Sequence, residues 1–217
     1  MTEEQGYSRN QLELLKKLKN VGSDLWGVLG DAGAAVSSDD GALPAPAAKK
    51  APNPMDAIWK TADETIDWTD ALAHNTPTDG LTGQRLWNFY HKQAERVLSG
   101  DLDAYTEVLK AANPLGELTD YAESITMRAP SADRLESCFI CRAELMEKDR
   151  KLYLAAMGLR IARDLLACLP AEEVAVTAEE NGKTAFKAVY TRQQLLHRNF
   201  NFVDPVALSE EFGAEYN

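Results

Sequence analysis

The residues with the most chemical potential stand in Glu136-Ser-Cys-Phe-Ile-Cys141, where two thiols are two residues apart. A Cys-x-x-Cys pair holds zinc or cycles between dithiol and disulfide when both sulfurs lie on one side, usually on a loop or helix start. Here the surrounding stretch, Arg134 to Cys141, alternates as a strand does. Side chains three apart on a strand point to opposite faces. Cys138 then shares a face with Glu136 and Ile140, and Cys141 shares the other with Leu135 and Phe139. No second Cys-x-x-Cys and no His-x-x-His accompanies the pair, and Cys168 falls inside a helical stretch. The motif reads as β-structure.

The other reactive groups are scattered. His74, His91 and His197 each lack a second His or Cys at i+3 or i+4, so metal ligation has no local support. Asp63, Glu64, Asp67 and Asp70 have helical spacings that could build a metal site on one face. The same spacing describes a solvated acidic stripe opposite Ile58, Trp59 and Ile66, which is the reading adopted. Arg160 and Arg163, with Arg134 and Arg142 on an adjacent strand, could converge on an anion, or pair with Glu144, Glu147 or Asp164. The chain holds no Gly-rich phosphate loop, no Gly-x-Ser-x-Gly elbow and no nucleotide fingerprint. Trp59, Trp68 and Trp87 read as core or interface anchors and not as a ligand cage. No catalytic, cofactor-binding or metal-binding residue is assigned.

The elements that would position these groups are legible from periodicity. Helical patterns start at Met55–Trp59 and again at Glu64–Leu72, run from Gln84 to Leu98, and repeat over Leu102–Ala112, where Asn113-Pro114 stops them. Alternating stretches at Ser124–Arg128 and Arg134–Cys141 flank a turn. A long helix over Lys148–Leu169 is apolar on a wide arc, with a polar stripe at Arg160, Arg163 and Asp164, and suits a cleft between a sheet and a second layer. Glu172–Ala178 and Thr184–Thr191 form a hairpin around Asn181-Gly182. A two-residue Asn-Gly turn would set Val176 opposite Lys187. Matching the apolar faces therefore predicts a three-residue loop with Val176 facing Phe186 and Val174 facing Ala188. Asp204-Pro205 opens a last short helix.

The fold expected is α+β: a helical layer followed by a ββαββα unit whose antiparallel sheet packs on one long helix. The start of the chain stands apart. Residues 1–29 read as a tethered amphipathic helix with Leu12, Leu15 and Leu18 on one side, and 30–54 as an Ala/Pro-rich linker. Residues 55–217 are then the helical layer and α+β domain. Those leucines cannot bury themselves in so short a helix. They and Trp26 are the candidate partner-binding residues, for a protein partner or a second copy.

Charge narrows the partners. The net charge is -11, and residues 51–130 alone carry 13 acidic against 6 basic side chains. Such a surface repels nucleic acid and anionic membrane. No apolar run approaches the roughly 20 residues that span a bilayer. With three cysteines and no signal-like start, a cytoplasmic location is expected.

Asn113-Pro-Leu-Gly116, Arg128-Ala-Pro-Ser-Ala-Asp-Arg-Leu135, Leu159-Arg-Ile-Ala-Arg-Asp-Leu-Leu-Ala-Cys-Leu-Pro170 and Phe202-Val-Asp-Pro205 resemble a group of uncharacterised bacterial proteins, over about residues 100–212. There a similar C-terminal region follows varied N-terminal segments. The resemblance implies a docking or regulatory module and carries no site residue with it. The leading expectation is a non-catalytic interaction module. Its rivals are a metal-dependent hydrolase or nuclease using acidic residues, and a protein held at a membrane surface by its N-terminal helix.

Overall fold

The structure is a computed structural model that describes residues 54–80, 82–195 and 198–217. The expected N-terminal helix with Leu12, Leu15, Leu18 and Trp26, the linker up to residue 53, and His197 lie outside the described residues. Among those described, helices and a five-stranded sheet make an α+β fold.

The helical layer comprises α1 (Trp68–Ala73), α2 (Gln84–Leu98) and α3 (Leu102–Ala112). The last two match their periodicity. In α2, Trp87, Tyr90, Ala94 and Val97 are buried at helical spacing. Asp101 caps α3 by accepting from the Asp103 and Ala104 amides, and Asn113 ends it in the left-handed region at φ 46°.

Residues 54–67 differ from expectation. Two short 3-10 turns, Pro54–Asp56 and Ile58–Lys60, replace the first predicted helix, and residues 61–67 run without helix before α1. The acidic stripe therefore does not form: Asp63 and Glu64 sit on this strap, and Asp67 caps α1 by accepting from the Asp70 amide. The cause lies far away in sequence. The Asp63 amide donates to the Asp164 carboxylate at 2.9 Å and the Ile66 amide to the Ala167 carbonyl at 2.9 Å, so these donors are not free for a helical ladder.

The sheet follows chain order, β1 (Ala122–Ser131), β2 (Arg134–Cys141), β3 (Glu173–Glu180), β4 (Lys183–Thr191) and β5 (Glu215–Tyr216). It is mostly antiparallel, but its central pair, β2 with β3, is parallel. A short helix, α4 (Ala143–Met146), leads into the 19-residue α5 (Arg150–Cys168). At 1.5 Å per residue α5 returns about 28 Å, the length of the strands, so β3 starts beside the start of β2.

The hairpin also corrects the expected register. Asn181 (φ 50°) and Gly182 (φ 73°) form a two-residue turn closed by Glu180 and Lys183. The two-residue turn contradicts the expected three-residue loop; the apolar faces still match in parity because the extra residue lies in the strand. A bulge at Ala185 moves the pairing so that Ala178 faces Phe186, Val176 faces Ala188 and Val174 faces Tyr190.

Helix α5 lies in the centre, as its wide apolar arc predicts. Leu159, Ile161 and Leu165 are fully buried and Leu166 nearly so. One side meets the sheet, where Gly158 lets the helix approach Phe186 and Tyr190. The other side is crossed by the strap. The chain then passes through α6 (Arg192–Leu195) and α7 (Pro205–Glu211), which Asp204 caps from two amides.

Candidate functional site

Strand alternation divides the sheet into two unequal faces. Leu135, Phe139, Val174, Val176, Phe186 and Tyr190 point to α5 and are buried. On the other face none of the side chains is buried, and no described element covers it. Its middle strand, β3, offers the small Ala175 and Thr177, while Arg134, Glu136 and Cys138 on β2 and Lys187 and Val189 on β4 rise beside them. Two depressions of about 370 and 300 Å³ share Arg134, Ala175 and Thr177, so they join into one trough along β3.

Charges on this face are close to balance: Arg128, Arg134 and Lys187 against Glu136, Glu173, Glu179 and Glu215. Four of them form a ladder. Arg128 donates to Glu136 at 2.8 and 2.5 Å, Arg134 donates to Glu136 at 3.3 Å, and Arg134 also pairs with Glu173. The Arg128 bond holds the Glu136 carboxyl below its usual range, and the Glu173 bond raises Arg134. Ile140 and Val189 stay 38% and 39% exposed, so the face mixes charge with uncovered apolar surface.

Beneath the strap, Arg160 and Asp164 of the α5 polar stripe are buried and Arg163 is half-buried. Arg160 donates through Nε to Asp164 at 2.6 Å and through Nη1 to Thr61 Oγ1 at 2.6 Å and the Ile58 carbonyl at 3.4 Å. Burial raises the Asp164 carboxyl to about 7, against the opposing pull of Arg160. The four arginines that might have converged do not. Arg134 lies on the open sheet face and Arg142 donates to the Ala122 and Thr119 carbonyls.

Arg163 meets different partners. With Arg192 and Arg198 it lines a cavity of about 250 Å³ between the strap, the end of α5, and Leu195 and Phe200. It donates to the Trp59 and Thr61 carbonyls and stacks on Phe200, its guanidinium carbon 3.7 Å from the ring centre. Arg192 donates to the carbonyls of Ala171 (2.9 Å), Leu166 (2.9 Å) and Leu169 (2.6 Å), closing the C-terminal end of α5. The sequence signal for this site was weak: of its three arginines only Arg163 was an anion candidate, and Arg192 and Arg198 follow it at no motif spacing.

The remaining predicted groups are dispersed. Cys138 is half-buried on the open face, Cys141 is buried on the other, and all three cysteines are free thiols. Burial raises Cys138 and lifts Cys141 and Cys168 to about 12, which keeps the latter two protonated and poorly nucleophilic. His74 contacts Asp70 at 2.7 Å, and His91 Nδ1 meets the Ala71 carbonyl at 2.7 Å. Trp59, Trp68 and Trp87 are buried, and their indoles donate to the carbonyls of Val203, Cys168 and His74. Among the described residues no group of three or more His, Cys, Asp or Glu is placed to hold a metal ion, and no helix is long and apolar enough to cross a membrane.

Compared with protein-family models, curated proteins and solved structures, the chain matches none.

Proposed function

We propose that the protein is a non-catalytic interaction module that pairs with a second copy of itself through the open face of the sheet. The trough along β3 carries this reading. A chain with net charge -11 repels its own copy over most of its surface, whereas this face is close to neutral and already internally paired. Two sheets can stack about 10 Å apart face to face. A two-fold axis between β3 and β4 would set the Lys187–Val189 ridge of one copy into the Ala175–Thr177 trough of the other. That buries Val189, and such isologous pairing needs only one self-complementary patch.

Cys138 reports on the face directly, because it lines the trough while Cys141 and Cys168 are buried. Its alkylation by a neutral maleimide, read by peptide mass spectrometry, should slow as protein concentration rises. A rate independent of concentration would overturn the proposal.

A further inference from the structure

We infer that the cavity lined by Arg163, Arg192 and Arg198 binds a small organic oxyanion, a phosphate monoester or a carboxylate. The inference is independent of pairing through the sheet.

Arg163 and Arg192 have no carboxylate within ion-pairing distance among the described residues, while Arg198 pairs with Glu211 at the mouth. Both inner guanidiniums are instead held by main-chain carbonyls, two for Arg163 and three for Arg192. Carbonyls fix a guanidinium in place but cancel no formal charge. Each planar fork has five N–H donors, enough to leave some for a ligand, and its geometry matches carboxylate and phosphate oxygens.

The local acids do not remove the charge. Asp63 lines the same cavity as a single carboxylate whose pKa desolvation raises, Glu172 acts on Arg192 electrostatically but forms no ion pair with it, and the nearby Asp164 is engaged by Arg160. Burial pulls the pKa of both Arg163 and Arg192 downward, the direction expected for cations short of compensation. The gathering of three arginines round one cavity contrasts with a chain of net charge -11. Leu166, Ala167 and Leu195 form an apolar wall beside the cations, so the fitting ligand carries an apolar body next to its anionic group.

The test is calorimetric titration of the full chain with sulfate, phenyl phosphate and benzoate at about 0.1 M ionic strength. Saturable binding is expected, with at least one aromatic anion tighter than sulfate. The stronger of phenyl phosphate and benzoate identifies the phosphoryl or the carboxylate class. Replacing Arg163 or Arg192 could unseat the strap or the end of α5, so the diagnostic variant is Thr65→Glu, which adds a negative charge at an exposed lining position. It should weaken binding by about tenfold or more, the scale of one charge-assisted contact. Lys110→Gln on the exposed side of α3, outside the cavity lining, should leave anion binding unchanged. No saturable binding by any of the three anions, or binding that Thr65→Glu leaves intact, would overturn the inference.

Discussion

Replacing Asp164 by Asn should change how stability depends on pH, and the sign follows from burial. The Asp164 carboxyl is fully buried, and its pKa rises from 3.8 to about 7 because desolvation outweighs the Arg160 guanidinium 2.6 Å away. Between those two values the folded chain holds a proton that the unfolded chain has released. This group's stabilising contribution is therefore full below the unfolded value and is lost as pH rises through the folded one. At about 1.4 kcal/mol per pH unit the ceiling is about 4 kcal/mol. Asn cannot ionise and keeps only one acceptor oxygen, whereas Asp164 serves the Asp63 amide through Oδ1 and Arg160 Nε through Oδ2, so one of those bonds is lost as an offset that does not vary with pH. Asp63, also raised, stays in both proteins and cancels to first order in the difference. Urea unfolding at fixed protein concentration, followed through the buried tryptophans from about pH 4 to 8, measures that difference. Wild type should lose about 2–4 kcal/mol relative to Asp164→Asn over this range. A flat difference, or one moving in favour of wild type, would show that the ion pair outweighs burial and that Asp164 is ionised throughout.

Two glycines give further tests. Gly158→Ala places a Cβ 2.7 Å from Phe186 Cε1 and 3.1 Å from the Tyr190 hydroxyl, both in fully buried residues. Overpacking of about 1–3 kcal/mol should exceed the gain of about 1 kcal/mol in helix propensity, so a stabilised variant would mean that β4 can retreat. Gly182→Ala meets no neighbour within 4 Å but retains a φ of 73°, and should lose about 1 kcal/mol in thermal unfolding. An unchanged midpoint would contradict the two-residue turn.

Local pattern revealed those elements whose burial is one-sided or complete. Helices α2, α3 and α5 follow from apolar spacing, and the opposite facings of Cys138 and Cys141 follow from strand alternation. The strap was misread because Ile58, Trp59 and Ile66 imitate a helical repeat, while its conformation depends on Asp164 and Ala167 about a hundred residues on. The hairpin shows a different limit. Parity demanded one extra residue, but only the structure locates it at Ala185 instead of in the turn. The parallel pairing of β2 with β3 depends on the span of α5, which strand patterns alone do not encode. The arginine cavity was the least legible feature, since it joins the strap and the end of α5 with Arg192, Leu195, Arg198 and Phe200.

Sedimentation of the full chain beside Thr177→Arg tests the central claim most directly. Thr177 lies at the floor of the trough, on the uncovered face, where an added guanidinium fills the space with little effect on the core. The account predicts a concentration-dependent dimer for wild type and a monomer for Thr177→Arg, with dimer retained when residues 1–29 are deleted. A wild-type monomer at all concentrations, or a dimer that survives Thr177→Arg but is lost with Leu12, Leu15, Leu18 and Trp26, would contradict it.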